Sequence, residues 1–335
     1  MVELASCMIH LKSFIYLSTL NAVFADGCIE EQVYPVKPYF YKLDASSFWD
    51  KIKDMNAKYV EKIRPNFVRK HPNTHSFSMA LSENIIWDQR HLLKHAAIVR
   101  PSCLSSSYTE PEQGMFDGLQ LPTSIMSLHA MGITRAVDED VNKVLPIIPT
   151  DTLVNGIISV AWFMSSQADN SCLIYNVSTE AHNGVTVGQI QRYATDSFDK
   201  YPSSKAIRLP VEPKAQNRIV YKFNQIVSET LFAYFFDLLL ICIGRSPMLV
   251  DMISKMHSSM KEVSSYYFRK SYNFTVSNLK TLIEAMNDED KQTFDCNIDN
   301  INWSQYFDDC YMRYRRHILK EPDSNVSDSI KRIHK

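Results

Sequence analysis

Glycine is scarce in this chain, with eight residues among 335. None of them stands in a G-x-x-G-x-x-G array. Such an array lets backbone approach a pyrophosphate at a helix N-terminus, so no dinucleotide phosphate loop is recognisable. Charge of one sign is lacking too. The 36 Lys and Arg nearly cancel the 37 Asp and Glu, for a formal net charge of -1. Nothing in that balance points to nucleic acid as a partner. The seven cysteines never form a C-x-x-C pair, which excludes a zinc ribbon or a dithiol redox motif. Their odd number and wide spacing suit reduced thiols in a cytosol-facing protein rather than a disulfide scaffold. No uncharged run reaches the roughly eighteen residues of a spanning helix. The apolar stretch from Ile226 to Ile243 is bounded and broken by Glu229 and Asp237, and it predicts a buried or interfacial helix. There is no internal repeat and no low-complexity tract.

What is present is an ordinary globular balance, 45% hydrophobic and 22% charged, enough for one large core or two smaller domains. Residues 1 to about 13 have the pattern of the end of an amphipathic helix. Phe14-Ile-Tyr-Leu-Ser18 is a short continuous apolar run, the signature of a parallel strand covered on both faces. Helical spacing follows over residues 45–63, and again from about Thr74 to His95 after the breaker His71-Pro-Asn-Thr74. Ala96-Ala-Ile-Val-Arg-Pro101 is a second buried strand, stopped by proline. Residues 101–125, rich in Ser, Pro and Gly, predict a loop. Residues 151–164 predict a helix and residues 172–178 a strand. Alternation of this kind argues an α/β domain with a parallel sheet. Residues 202–217 are polar with three prolines and predict a linker. Residues 273–320 predict a small all-helical region. Arg313, Arg315, Arg316, Lys320, Lys331, Arg332 and Lys335 make the last stretch positive, as a solvated face and tail or as a patch for lipid headgroups.

Two features invite other readings. Lys12, the apolar run to Phe24 and the small residues around Ala25 have the form of a secretory signal, and N-x-S/T tripeptides occur at Asn176, Asn273, Asn302 and Asn325. The alternative is an interior strand at residues 14–18, and that reading is preferred. His91 and His95 lie four apart with zinc-ligand spacing, but Leu92 stands where a metalloprotease needs Glu and no third ligand is evident. No metal is expected.

A series of short motifs carries a resemblance. Leu11-Lys-Ser-Phe-Ile-Tyr-Leu-Ser-Thr19 is similar to the strand ending in Ser-Thr in fatty acyl-CoA reductases, and Ile29-Glu-Glu-Gln-Val-Tyr-Pro35 to the segment after it. Pro72-Asn-Thr-His-Ser-Phe-Ser-Met-Ala-Leu-Ser-Glu83 resembles that family's catalytic helix. Ile98-Val-Arg-Pro-Ser102, Glu110-Pro with Gly114, Pro149-Thr-Asp151, Asn155, Ala161-Trp162, Tyr175-Asn176 and Asn183 follow in the family's order. So do Phe274-Thr-Val-Ser-Asn278, Asp290, Phe294-Asp295, Ile301-Asn-Trp-Ser-Gln-Tyr306 and Arg315-Arg-His-Ile-Leu-Lys-Glu321. Each motif is short, and their joint order is specific.

The chain thus resembles an alcohol-forming, insect-like fatty acyl-CoA reductase truncated at the N-terminus and at the C-terminus. The resemblance implies an incomplete Rossmann-type, extended short-chain dehydrogenase-like domain over residues 1–201. It further implies a linker at 202–225, a small all-helical C-terminal domain at 226–321 and a tail at 322–335. The implied reaction is reduction of a long-chain acyl-CoA to a fatty alcohol by NADPH. In the family a serine holds the carbonyl oxygen and a Tyr-x-x-x-Lys pair on one helix donates the proton and holds the cofactor ribose. Ser18 occupies the serine position, whereas His75 stands at the tyrosine position and Met79 at the lysine position. A methionine carries no charge for a ribose hydroxyl, so activity is expected to be impaired or absent, and NADPH has no recognisable glycine loop to bind. Leu121-Pro122 and Ser124-Ile-Met-Ser127 replace a segment that is glycine-rich in the family. Implied partners are long-chain acyl-CoA and, in a homo- or hetero-oligomer, intact reductases. The implied location is a cytosol-facing membrane of the endoplasmic reticulum or peroxisome, with residues 230–243 as the membrane contact.

Overall fold

The structure is a computed structural model that describes residues 1–23, 28–36, 44–68, 71, 73–116, 121–134, 141–167, 171–179, 183–211, 218–263 and 273–333. The chain forms two compact units, each assembled from three stretches. The first takes Met1–Ser102, Thr152–Ala181 and Lys270–Ile298, and the second takes Cys103–Asp151, His182–Arg269 and Asp299–Lys335.

The centre of the first unit is a three-stranded parallel sheet. Ala96–Pro101 lies in the middle, flanked by Phe14–Leu17 and Cys172–Val177. Phe14 pairs with Ala96 and Leu17 with Val99; on the other side Ala96 pairs with Cys172 and Pro101 with Val177. All six residues of the middle strand are buried, which is why the sequence there is apolar without alternation. Residues 14–17 are therefore a strand of this sheet, as the second reading of the N-terminus had it. Asn176 is also no surface sequon: it is fully buried, and its amide donates to the carbonyls of Thr275 at 3.0 Å and Ile29 at 3.4 Å. These contacts pin a small parallel ladder between Cys28–Ile29 and Asn273–Phe274.

The helix Thr74–Asp88 lies between two apolar surfaces. Asn73 caps it by accepting the Ser76 N–H at 2.8 Å. Ile86 packs with Ala96, Ile98 and Ile174 of the sheet. On another side, Phe77 and Leu81 join Phe48, Phe67 and Val68 from the helices Ala45–Ile52 and Ala57–Val68. Those two helices replace the single one expected over residues 45–63, because the Asn56 side chain accepts the Lys58 N–H and starts a new helix. The Thr74 helix also stops earlier than expected. His91 falls in a 3-10 turn and His95 takes φ 48°, so the two histidines do not share a helical face.

In the second unit the helices Leu121–Ala130, Val187–Lys200 and Trp303–His317 pack on one another. A short strand, Cys103–Ser105, pairs in parallel with Ile147–Pro149. Residues 101–125 are thus not all loop, since they hold this strand and the start of the Leu121 helix. The motif residues of this unit are architectural. Asp151 accepts backbone N–H groups of Tyr108, Thr109 and Glu110 at 2.7 to 3.0 Å and so fixes the loop after the strand. In that loop Gly114 sits at φ +66°, where a Cβ would lie 2.7 Å from the Asp309 carbonyl oxygen. Trp303 donates its indole N–H to the Asn183 carbonyl at 2.9 Å, and the Tyr306 hydroxyl lies 2.6 Å from Ser105 Oγ. Within the segment expected as a linker, Arg208 donates to the carbonyls of Gly132, Ile133 and Ser228, and residues 212–217 lie outside the described residues.

The apolar stretch of the second unit is one long helix. It runs through Arg218–Asn224, a wide π-helical segment Gln225–Leu231, and Phe232–Cys242. The part Lys222–Cys242 is long and apolar enough by length and composition to cross a membrane. Contrary to the buried alternative, most of it is exposed, with Phe223 and Phe235 at 64% and 60%. Its two acids, Glu229 and Asp237, are turned inward together with Ala233 between them.

Candidate active site

The three residues singled out by the sequence all lie in the first unit, where the Ser18 strand faces the helix Thr74–Asp88. Strand residues two apart share a face, which puts Tyr16 beside Ser18. Helix residues four apart do likewise, so Met79 and Glu83 follow one another toward the strand. The structure brings these four together in two contacts. The Tyr16 hydroxyl donates to Met79 Sδ at 3.6 Å, and the Ser18 hydroxyl donates to Glu83 Oε1. His75 stays apart on the exposed first turn of the helix, where its carbonyl accepts the Ser78 hydroxyl at 2.9 Å.

Beneath Ser18 lies a fully buried ion pair. Arg100 Nε donates to Glu83 Oε1 at 2.9 Å and Nη2 to Oε2 at 2.6 Å, a bidentate arrangement. Arg100 also donates to the Gln32 carbonyl at 3.0 Å. Both side chains are essentially inaccessible, at 0% and 3%. The Ser18 hydroxyl is buried as well and its proton points into this pair. Burial holds the Tyr16 phenol above its ordinary pKa; the Ser82 hydroxyl opposes that and the Glu83 carboxylate adds to it. Tyr16 therefore remains a protonated donor at neutral pH. Nearer the helix start, the Ser76 hydroxyl donates to the Asn21 carbonyl, and His71 Nδ1 lies 3.2 Å from Ser76 Oγ. Burial pushes His71 down to about 4, so its ring is neutral at physiological pH.

Tyr16, Glu83 and Arg100 were not singled out from the sequence. Each left a readable signal. Tyr16 is two residues from Ser18 in a strand, Glu83 continues the four-residue step through 75 and 79, and Arg100 is the one charged residue in an otherwise apolar strand. What chemistry the arrangement offers follows from its donors. It holds a neutral phenol against a thioether and a serine whose proton is committed to a carboxylate. The described residues at position 79 and around it supply no cation facing the strand; the one guanidinium there is already paired with Glu83.

Comparison with known proteins places the chain. Two family models, both described as male sterility protein, match it: an NAD-binding one over residues 1–157 and a second, Sterile, over residues 228–321. Fatty acyl-CoA reductase 1 of Mus musculus is 27% identical over 335 residues, which is 100% of this chain and 64% of that protein. Fatty acyl-CoA reductase 2 of Bos taurus is 25% identical over 326 residues, 97% of this chain and 62% of that protein. The chain thus spans less than two thirds of the length of these relatives. Among solved structures, a UDP-glucose 4-epimerase is similar at a TM-score of 0.44 and 10% identity, covering 91% of this chain and 65% of that one. The parallel α/β sheet and the helical C-terminal region agree with the Rossmann-like class expected from the sequence. By its two matching models and by relatives aligned along its full length, the chain belongs to the male sterility protein family, that of the fatty acyl-CoA reductases.

Proposed function

We propose that this protein engages long-chain acyl-CoA as a fatty acyl-CoA reductase relative whose own reduction chemistry is lost or weak. The observation that carries this reading is the contact at position 79. Where the family has a lysine, Met79 offers a thioether to the Tyr16 hydroxyl. A thioether is a weak acceptor and no donor, so it cannot hold a ribose hydroxyl by a charged bond or lower a neighbouring phenol's pKa. The residues there do not fit the ribose of NADPH. Ser18 and His75 support the same reading. Ser18 gives its proton to Glu83 instead of to a substrate carbonyl, and His75 is exposed one turn before Met79. Loss of such donors costs on the order of 10²–10³-fold in turnover for each.

Assay of NADPH oxidation with a long-chain acyl-CoA tests the proposal. Wild-type protein is expected to turn over far below about 1 s⁻¹, the low end of common enzyme rates. Rates at or above that level overturn the reading. The double variant His75→Tyr/Met79→Lys restores the family pair on the same helix face and should raise any residual rate by on the order of 10²-fold or more.

A second reading is a non-catalytic partner of intact reductases. One observation favours it: among the described residues the strand Phe14–Leu17 pairs on one side only. An open parallel edge is a template for another strand. Either form would work at the cytosolic face of the endoplasmic reticulum or peroxisome, with the helix Lys222–Cys242 as its membrane contact.

A further inference from the structure

The long helix of the second unit distributes its residues in an unusual way. Glu229, Ala233 and Asp237, four apart, form its inward stripe and are 1%, 1% and 5% exposed. Phe223, Ile226, Tyr234, Phe235, Leu238 and Ile241 lie outward, each between 54% and 64% exposed. Between Lys222 and Arg245 the two acids are the only charged residues, and both are engaged within the unit. Glu229 Oε2 lies 2.9 Å from His257 Nε2. Asp237 accepts the N–H groups of Met248, Leu249 and Val250 at 2.9 to 3.0 Å, closing the start of the helix Leu249–Val263. What remains on the outer face is an apolar band about 30 Å long, at 1.5 Å per residue, with an exposed cation, Lys222 or Arg245, at each end.

We propose that this outer face lies flat in the surface of a lipid bilayer, with its aromatic and aliphatic side chains among the upper acyl chains and Lys222 and Arg245 at the phosphates. The charges decide between this and two other occupants. A spanning helix would take Glu229, Asp237 and the attached helix Leu249–Val263 into the hydrocarbon. That second helix carries Asp251 and Lys255, 70% and 76% exposed and paired at 2.7 Å in solvent. Such groups face water, which fits a helix lying at the interface and not one crossing it. A second copy of this chain is the other occupant. In a parallel two-fold pair Lys222 would meet Lys222, and in an antiparallel pair it would meet Arg245. Like charges meet in both cases, and no exposed acid on the band relieves them. Lipid phosphates accept both cations, and long cationic side chains reach them from an apolar band.

The proposal deepens the membrane location put forward above and does not rest on catalysis. Its test is flotation of the full chain with vesicles of phosphatidylcholine, with and without phosphatidylserine. The protein is expected to float with both. Leu238→Glu, at an exposed site, should reduce the bound fraction by about tenfold or more while leaving the urea midpoint unchanged. A Phe235→Trp variant should shift to the blue on binding and be quenched by lipids brominated near the headgroup. Lys255 should stay reactive toward a membrane-impermeant amine reagent. Absence of flotation with either vesicle overturns both this inference and the membrane location, as does a stable dimer that Leu238→Glu dissolves. Flotation with Lys255 shielded, or flotation that needs phosphatidylserine and ignores Leu238→Glu, leaves the location standing and overturns the flat apolar contact.

Discussion

The helices Thr74–Asp88 and Lys222–Cys242 both turn acidic residues inward, and their surroundings give those acids different work. In the first, Glu83 is bound by a guanidinium that is itself fully buried, and apolar residues on the same helix pack on either side of it. In the second, Glu229 meets a partly exposed histidine and Asp237 meets backbone N–H groups, while the apolar residues look outward. The first is a core helix with a charge locked inside. The second is a surface helix whose charges are tucked away from an apolar face. Composition does not separate the two. What separates them is which side the apolar residues occupy relative to the acids.

The largest effect is expected at the Glu83 to Arg100 pair. Arg100→Met leaves a buried carboxylate without its partner, and such a loss costs about 3–5 kcal/mol. Urea denaturation should show it, and the double variant Arg100→Met/Glu83→Leu should recover most of that loss, since an apolar pair of similar volume is often neutral. A double variant as unstable as the single one would mean that the pair also orders Ser18 or Gln32 in a way packing cannot replace. The corresponding change in the second unit, Glu229→Gln, should cost less, about 1–3 kcal/mol, because His257 is partly solvated and an amide still accepts its hydrogen bond. Equal losses in the two variants would erase the distinction drawn between the helices.

Much of the first unit was legible in the sequence. The strands at residues 14–17, 96–101 and 172–177 stand out as short apolar runs, although only the middle one is buried throughout and Leu17 of the first is exposed, and the His71 to Thr74 breaker marks the helix that carries His75 and Met79. The alternation of chain between two units was not legible, because the segments that cross between them, near Ser102 and Asp151, carry no linker composition. The core of the candidate site was half legible. Ser18, His75 and Met79 followed from motif order, but Tyr16, Glu83 and Arg100 meet only when strand and helix face each other, a contact that spans 65 residues between Ser18 and Glu83. For a related reason the sequence leaves open whether the apolar helix is buried or interfacial, and only the exposure of its outer face excludes the first. Apolar runs look the same whether a protein core or something outside the protein covers them.

Acid should act on both units alike. Burial lowers His71 in the first unit and His129 in the second to about 4 each. With folded values below the unfolded 6.5 or so, the unfolded chain takes up these protons first as pH falls. Stability contributed by the neutral rings is therefore complete above about pH 6.5 and is lost as pH drops toward 4, levelling below that. Urea midpoints measured across that window should fall, and His71→Asn and His129→Asn should each flatten the fall. An unchanged slope in both variants would show that carboxylates alone set the acid limb.

The smallest effect is expected at His75, and it bears on how the candidate site is understood. The residue is exposed on the first turn, and exposed substitutions away from caps and cores usually change stability by no more than about 0.5 kcal/mol. His75→Ala should stay within that range in urea denaturation. It should also leave any residual NADPH oxidation unchanged, because in the proposed reading the imidazole donates no proton to a substrate. A drop in that residual rate, with stability intact, would show that histidine has taken over the proton donation that the family assigns to tyrosine. The site would then be altered in its acid and not emptied of one, and Met79 alone would mark the loss.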